Sequence, residues 1–372
     1  MLKKILIAIA LTFVVLVAPL SANIYWVAET VAADVVGTVN TFADPYGIQI
    51  AFTTAACDDE VRVIQGADDY DSTSTSWTNR AADKTIDWVR NCSAWQPVMA
   101  SCWSDETTEV TSVGACVMDF EGGTGNGFEL SNGGKIWKSM AVINANGVGV
   151  NSGSSDVLFY RIRVSGSGSV GINAWNGSSI NIVECVANNN VTFGLSIDGT
   201  PPAAIYLSES YLNATGIYAG EAHLFKNIVH DNTGDGIVVE MDGGMVLENV
   251  SYNNGANGLT RDANAHGTIY GYNVFADNTT YGYTSANQIY LSVGNNFYNN
   301  TTDARLTTVV PRIDLDSTPD ETAVTFTDPT NGDFTQTTEV QRSISFPRAG
   351  TDTGLVGAVQ VTGAGGATAH AH

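Results

Sequence analysis

The sequence predicts an all-β protein, a single-stranded right-handed parallel β-helix (solenoid) of about nine coils. Three observations predict this fold. A small residue followed by an apolar residue recurs about every 22 residues, Asn or Asp pairs recur shortly before it, and apolar residues alternate after it. No window carries a long helical stripe. With 44% hydrophobic residues among 372, the chain also has enough apolar content for a large core.

Residues 1–22 have the layout of a secretory signal peptide, with Lys3 and Lys4, an apolar run, and small residues at the end. We therefore predict a protein that is secreted, extracellular or on the cell surface. The alternative is a retained anchor, because the uncharged residues 5–27 are long enough to span a bilayer. A membrane is a partner only under that alternative.

Residues 23–125 are expected to form an N-terminal cap and the first irregular coils, with a strand at residues 60–64. This region holds the four disulfide candidates Cys57, Cys92, Cys102 and Cys116. Their clustering in an exported chain favours two disulfides, and three pairings remain open. Zinc is disfavoured, because no Cys-x-x-Cys occurs and no His lies nearby. Cys185 stands apart and is predicted to be a buried core residue.

Residues 126–309 are predicted to be the regular β-helix. The recurring small residue, here called the anchor, is found at Gly127, Gly147, Gly171, Gly194, Gly216, Gly236, Gly258, Gly282 and Ala304. Five anchors follow the pairs Asn189-Asn190, Asp231-Asn232, Asn253-Asn254, Asp277-Asn278 and Asn299-Asn300. Asn and Asp tolerate left-handed backbone angles, so stacked turns can form amide ladders. Residues 310–362 are predicted to be a C-terminal closing region and residues 363–372 a flexible tail.

Three segments resemble one protein family. They are residues 51–66, where an acid precedes a Val-x-Val strand and a Gly turn, residues 119–130 at the entry to the first regular coil, and residues 326–334 near the end. These segments and the coils resemble the secreted right-handed β-helix proteins of the pectate-lyase-like superfamily, over roughly residues 40–360. The resemblance implies the fold. It implies no single activity, because the superfamily includes lyases, hydrolases, epimerases, adhesins and phage tailspikes.

Enzymes of this superfamily are expected to carry their chemistry on outward side chains of one stacked strand. Counting four residues after each anchor places Glu240 and Asp262 on adjacent coils, with Arg261 and His266 nearby. Such carboxylates suit an acid/base pair or a Ca²⁺ site, and these four residues are the catalytic candidates. Pectate-lyase relatives use a basic residue beside Ca²⁺-binding acids, which Arg261 or Lys226 would have to supply. The alternative is solvated acids on an acidic surface.

Trp175, Tyr218 and Asp198 are the ligand-binding candidates. Counting from the anchors places them on the same outer face, where aromatic rings can stack on sugar rings while Asp and Asn bond the hydroxyl groups. Ordinary surface filling explains exposed aromatic residues equally well.

The net charge of -22, from 16 Lys and Arg against 38 Asp and Glu, argues against nucleic acid as a partner. The same charge repels an anionic polyuronate unless Ca²⁺ bridges the two. No metal-ligand set is assigned and no cofactor is required, although Ca²⁺ is compatible with the acids.

The predicted function is a structural or adhesive role in which the exported protein binds an extracellular polysaccharide or cell-surface glycan. The first alternative is a polysaccharide lyase or glycoside hydrolase. Whether the chain is an enzyme stays open, because no ordered catalytic motif of the superfamily is present. The second alternative is a self-assembling subunit of an extracellular filament.

Overall fold

The computed structural model describes residues 23–28, 48–65, 70–71, 85–88, 91–94, 96–120, 124–153, 156–175, 177, 179–198, 203–240, 244–261, 268–285, 291–306, 313–314, 326–329, 333–336, 340–341 and 353–354. The expected signal peptide or anchor (residues 1–22) and the expected tail (residues 363–372) lie outside these residues, and both stay predictions. In the described part, no helix has the length and hydrophobicity needed to cross a membrane.

Three parallel sheets of 12, 10 and 10 strands run the length of the molecule, and each strand pairs with the corresponding strand of the next coil. The chain is therefore an all-β parallel β-helix, and the predicted fold class is confirmed. The expected count of about nine coils differs slightly from the structure, because strands of the N-terminal flank also join the sheets.

The strands of each sheet follow one another along the chain at every third position. The first sheet contains β1 (Ile24–Val27), β2 (Glu60–Ile64), β5 (Val98–Trp103), β8 (Lys135–Lys138), β11 (Val157–Tyr160), β14 (Asn181–Val183), β17 (Ala204–Tyr206), β20 (His223–Phe225), β23 (Met245–Leu247), β26 (Ile269–Gly271), β29 (Leu291–Val293) and β32 (Ile313–Asp314). The second contains β4 (Ile86–Trp88), β7 (Phe128–Leu130), β10 (Val150–Ser152), β13 (Ile172–Trp175), β16 (Phe193–Asp198), β19 (Thr215–Ala219), β22 (Ile237–Val239), β25 (Leu259–Arg261), β28 (Tyr281–Ser285) and β31 (Thr302–Leu306). The third contains β3 (Tyr70–Asp71), β6 (Cys116–Asp119), β9 (Met140–Ile143), β12 (Arg163–Ser165), β15 (Val186–Asn188), β18 (Glu209–Tyr211), β21 (Ile228–His230), β24 (Val250–Tyr252), β27 (Val274–Ala276) and β30 (Asn296–Tyr298).

Alternate residues of each strand point inward and stack on the residue one coil away. On the second sheet this produces a column of aliphatic side chains with no exposed surface, formed by Val150, Ile172, Leu195, Ile217, Ile237 and Leu259. Stacking in register buries the apolar surface of each coil against its neighbours, so the core runs continuously along the rod.

The anchor glycines are required by close approach between coils. A Cβ atom at Gly216 would lie 2.7 Å from the carbonyl oxygen of Gly236 and 2.2 Å from a methyl group of Val229. The same geometry corrects one expected anchor. Gly149, not Gly147, occupies this position, because its Cβ would meet the carbonyl oxygen of Gly171 at 2.8 Å.

The N-terminal flank closes one end of the core. Helix α1 (Ile48–Thr54) places Phe52 edge-on against Trp88 and Phe128, at centroid distances of 5.0 and 5.4 Å. Two disulfides, Cys57–Cys92 and Cys102–Cys116, link the same region. The expectation of two disulfides from these four cysteines is confirmed, and the structure resolves their pairing.

Two short antiparallel pairs follow the coils, β33 (Phe326–Asp328) with β34 (Asp333–Gln336) and β35 (Val340–Gln341) with β36 (Thr353–Gly354). The β33–β34 hairpin packs on the outside of the third sheet, where Phe334 is fully buried against His230 and Tyr252. The closing region therefore covers a lateral face of the rod as well as following its last coil.

Candidate functional site

The outer face of the second sheet carries the predicted ligand-binding residues. Trp175 and Asp198 are paired in register on β13 and β16. Gly220 and Glu240 follow the paired residues Ala219 and Val239 on the next two coils. Because strand neighbours alternate between the two faces and Ala219 and Val239 are buried, Gly220 and Glu240 belong to the outer face. The four positions form one outward column.

Trp175 presents a flat apolar surface to solvent, with 44% of the residue exposed. Its ring lies over Gly153, where a Cβ atom would be 3.2 Å from Cζ2. The indole Nε1 donates a hydrogen bond to Asn151 Oδ1 at 3.2 Å. The ring is therefore held in a defined orientation by a polar contact along one edge.

A row of amides extends from Trp175 toward the N-terminal end. Asn173 Nδ2 also donates to Asn151 Oδ1 at 2.9 Å, and Asn151 Nδ2 donates to Glu129 Oε2 at 2.9 Å. Glu129, Asn151 and Asn173 are paired in register on β7, β10 and β13. Sequence reasoning missed this row, because the misplaced anchor at Gly147 put Asn151 two positions away from its true column. Equal spacing of 22 residues from Gly127 to Gly149 and on to Gly171 is the signal that identifies it.

Toward the C-terminal end the same face carries Tyr218 and Glu240. The Tyr218 hydroxyl donates a hydrogen bond to Glu240 Oε2, and the Tyr218 ring lies 5.0 Å from the half-buried ring of Phe193. Between Trp175 and Glu240, the exposed Asp198 carboxylate leans over Gly220, where a Cβ atom would be 2.5 Å from Asp198 Oδ1. Aromatic rings, amides and carboxylates thus share one surface.

The four catalytic candidates are not assembled in the described part of the chain. Glu240 is on the outer face, but Asp262 and His266 lie outside the described residues. Arg261 points inward, is 1% exposed and donates from Nη1 to Ser285 Oγ at 3.3 Å. The expectation that Arg261 serves the outer face is wrong, because it follows the inward alternation of Leu259 on β25.

Both histidines in the described residues have hydrogen-bonded rings, His230 through both ring nitrogens and His223 through Nδ1. His230 lies between Asp231 Oδ2 at 2.7 Å from Nδ1 and Glu209 Oε1 at 3.0 Å from Nε2. His223 Nδ1 accepts a hydrogen bond from the backbone N–H of Met245 at 3.2 Å, which places the ring proton on Nε2. No imidazole in this part of the chain offers an unengaged lone pair.

Cys185 is the one cysteine outside the disulfides, and it is fully buried as predicted. Burial raises the pKa of its thiol to about 12. Among the described residues, no group of three or more His, Cys, Asp and Glu side chains is arranged to hold a metal ion.

Comparison with known proteins gives one family and several structural relatives. The profile of a family described as "Periplasmic copper-binding protein (NosD)" matches residues 124–327, which is more than half of the chain. No curated protein matches the chain.

Two solved structures share the fold. Pectate lyase Pel9A is 15% identical, with 82% of this chain and 82% of that chain covered and a TM-score of 0.54. A rhamnogalacturonan lyase is 12% identical, with 75% and 74% covered and a TM-score of 0.51. At these identities the likeness establishes the fold and carries no activity with it.

Proposed function

The chain belongs to the NosD family, and on that premise we propose that it is an exported β-helix protein that binds polysaccharide on the outer face of its second sheet. The family's periplasmic description supports the export predicted from residues 1–22. The role is structural or adhesive, and it is exerted in the periplasm, outside the cell or on its surface.

The observation that carries the proposal is the exposed ring of Trp175, oriented by Asn151 on a flat sheet. A sugar ring buries its apolar face on an indole, while amides and carboxylates beside it bond the hydroxyl groups. The amide row ending at Glu129 supplies such groups on one side of Trp175, and Asp198 supplies them on the other.

Cleavage of a polysaccharide is the second candidate, and one contact favours it. On the outer face the phenol of Tyr218 donates a hydrogen bond to the carboxylate of Glu240. A proton donor and a proton acceptor therefore lie side by side there. Asp262 and His266 stay predicted partners in that reaction. The inward position of Arg261 argues against cleavage. It leaves Lys226 as the one remaining residue of the two that a lyase on these coils could use as a base.

Copper does not fit the described residues, although the family description names it. Copper is held by imidazole, thiolate and thioether groups. In the described residues both nitrogens of His230 and Nδ1 of His223 are hydrogen-bonded, four cysteines form disulfides, and the fifth is buried as a thiol. Copper therefore has no part in the proposed function. Calcium at the acids near Glu240 stays a prediction.

The test is co-sedimentation of the purified full chain with insoluble neutral and acidic polysaccharides, with Ca²⁺ or chelator, while new reducing ends and unsaturated products are followed. We expect one polymer to retain the protein with no product formed, and Trp175→Ala to abolish retention. Val113→Ala is the matched control, because Val113 is also exposed but lies in the N-terminal flank. Product formation lost in Glu240→Gln would overturn the binding role in favour of cleavage.

A further inference from the structure

Among the described residues, the strands of the second sheet from β13 to β22, which carry the proposed binding face, hold no Lys or Arg. Between Arg163 and Arg305 the sequence holds twelve Asp and Glu but only two Lys or Arg, Lys226 and Arg261. Lys226 lies between the first and third sheets, with Nζ 3.4 Å from Glu248 Oε2. Arg261 is buried inside the rod. Neither cation is on the outer face of the second sheet.

The negative charge of this face is concentrated next to Trp175. Asp198 is its direct neighbour in register, and Glu240 lies two coils beyond Asp198. Two strand spacings separate the two acids by roughly 10 Å along the axis. Within the described part of the chain, the Asp198 carboxylate makes no side-chain hydrogen bond, and Glu240 accepts one from the neutral hydroxyl of Tyr218. No cation compensates either group there.

The segments that follow these strands add acids and no Lys or Arg. Residues 199–202, 241–243 and 262–267 contain Asp242 and Asp262 among uncharged residues and one histidine.

We propose that this face selects a polysaccharide that carries protonated amino groups, an amino-sugar polymer, over a neutral polymer or a polyuronate. The inference rests on the proposed function and names its substrate class. A sugar stacked on Trp175 brings its substituents beside Asp198, where an ammonium group gains a charge-assisted hydrogen bond. A uronate carboxylate at the same place meets like charge.

The test compares glucosamine oligomers with fully N-acetylated oligomers of equal length, measured by calorimetry at a pH where the amines are protonated and the carboxylates ionised. We expect the glucosamine oligomer to bind about three- to tenfold more tightly, the range expected for two exposed ion pairs. The preference should shrink as salt is added. Equal affinity for the two oligomers would overturn the inference, and so would tighter binding of oligogalacturonate in the presence of Ca²⁺.

Charge-neutral variants assign the preference to residues. Asp198→Asn and Glu240→Gln should each reduce the preference for the glucosamine oligomer, measured as the ratio of its Kd to the Kd of the acetylated oligomer. Glu248→Gln removes the same charge beside Lys226, away from this face, and should preserve the preference. If Trp175→Ala leaves all binding unchanged, or no oligomer binds, the proposed function itself fails. Circular dichroism verifies that each variant is folded.

Discussion

His230 is the most constrained titratable residue on the outside of the rod. It is 4% exposed, its ring stacks on Tyr211 at 4.9 Å, and Phe334 of the C-terminal hairpin covers it at 4.4 Å. Burial alone lowers the pKa of His230, but the hydrogen bonds and charges of Asp231 and Glu209 outweigh burial, so the pKa is raised. The protonated ring therefore stabilises the folded third sheet, at which both carboxylates lie.

Replacing His230 by Gln should remove a pH dependence of stability. A group whose pKa is raised by folding contributes stability that is complete below its unfolded pKa of about 6.5 and is lost as pH rises through the folded value. We expect the unfolding free energy of the wild type, relative to His230→Gln, to fall between about pH 6 and pH 9. Denaturant unfolding across this range measures it, and a constant difference would contradict the assignment.

His223 provides a control of opposite sign. Burial lowers the pKa of this residue, so its neutral form is the stable one in the folded chain. A group whose pKa is depressed in this way loses stability as pH falls below about 6.5. His223→Gln should therefore remove a loss of stability on the acid side and leave the alkaline side unchanged.

The thiol of Cys185 should be inert in the folded protein. Its sulfur is fully buried and accepts a hydrogen bond from the Ile162 N–H at 3.4 Å, and burial raises its pKa to about 12. Since thiolate is the reactive form, alkylation at neutral pH should add no mass to the native chain. After unfolding without reductant, intact-mass analysis should show one modification, and more than one would contradict the two disulfides.

At the scale of elements, the two adjacent residues of each Asn turn have different roles. The first residue of each pair, such as Asn189, Asp231 or Asn253, takes a left-handed φ of 50–57°. The second lies inside the rod and joins the buried ladder Asn190, Asn213, Asn232, Asn254, Asn278 and Asn300. The side-chain amide nitrogens of the first five members each donate to the side-chain oxygen of the next member at 2.9–3.1 Å. The last member, Asn300, donates to the Phe275 carbonyl oxygen at 2.8 Å.

Removing one rung should be costly. Asn232 Nδ2 donates to Asn254 Oδ1, and Asn232 Oδ1 accepts from both the backbone N–H and Nδ2 of Asn213. Asn232→Ala should destabilise the protein by about 2–4 kcal/mol, from roughly 1–3 kcal/mol for each buried group left unpaired. Denaturant midpoints measure the loss.

Asn189→Gly is the control for that substitution. Asn189 is exposed with a φ of 57°, a conformation that glycine adopts freely. The unfolding free energy of the Asn189→Gly variant should differ from that of the wild type by less than about 1 kcal/mol. A similar loss in both variants would mean that backbone geometry, not the ladder, holds the turns.

Five of the six members of the first ladder follow from the sequence, because each precedes its anchor by four residues. The exception is Asn213, which precedes Gly216 by three residues. A second ladder, formed by Asn227, Asn249, Asn273 and Asn295, was not predicted. Its Asn residues follow a left-handed residue that varies from Lys226 to Glu248 to Tyr272, so no residue pair repeats there. A search of the sequence for repeated residue pairs therefore does not find a ladder whose positions are set by the stacking of the coils alone.

At the scale of the whole molecule, the predicted fold is confirmed while the candidate site is only partly located. Trp175 and Glu240 belong to the column expected for them, because the anchors before β13 and β22 were placed correctly. Arg261 lies inside the rod and not beside Glu240 on the outer face, because it follows the inward alternation of β25. Arg residues are almost never fully buried, so the polarity of Arg261 predicts an exposed position that this residue does not have.

The last prediction concerns copper, which the family description names and the coils do not fit. A copper site formed only in the folded chain would raise the unfolding temperature, because ligand at about 100 times its Kd adds about 2.7 kcal/mol. We expect excess copper to leave the unfolding temperature unchanged, since both ring nitrogens of His230 and Nδ1 of His223 are already hydrogen-bonded. Differential scanning calorimetry with copper or chelator measures this.

Tail histidines provide the control for that measurement. His370 and His372 lie in the predicted tail, where bound copper would not report on the folded coils. If copper binds without raising the unfolding temperature, the double substitution His370→Ala and His372→Ala should abolish binding. A copper-dependent rise in unfolding temperature that persists in the double variant would mean that the folded coils or His266 hold the metal. In the absence of such a rise, amide ladders and stacked aliphatic columns remain sufficient to hold the coils together.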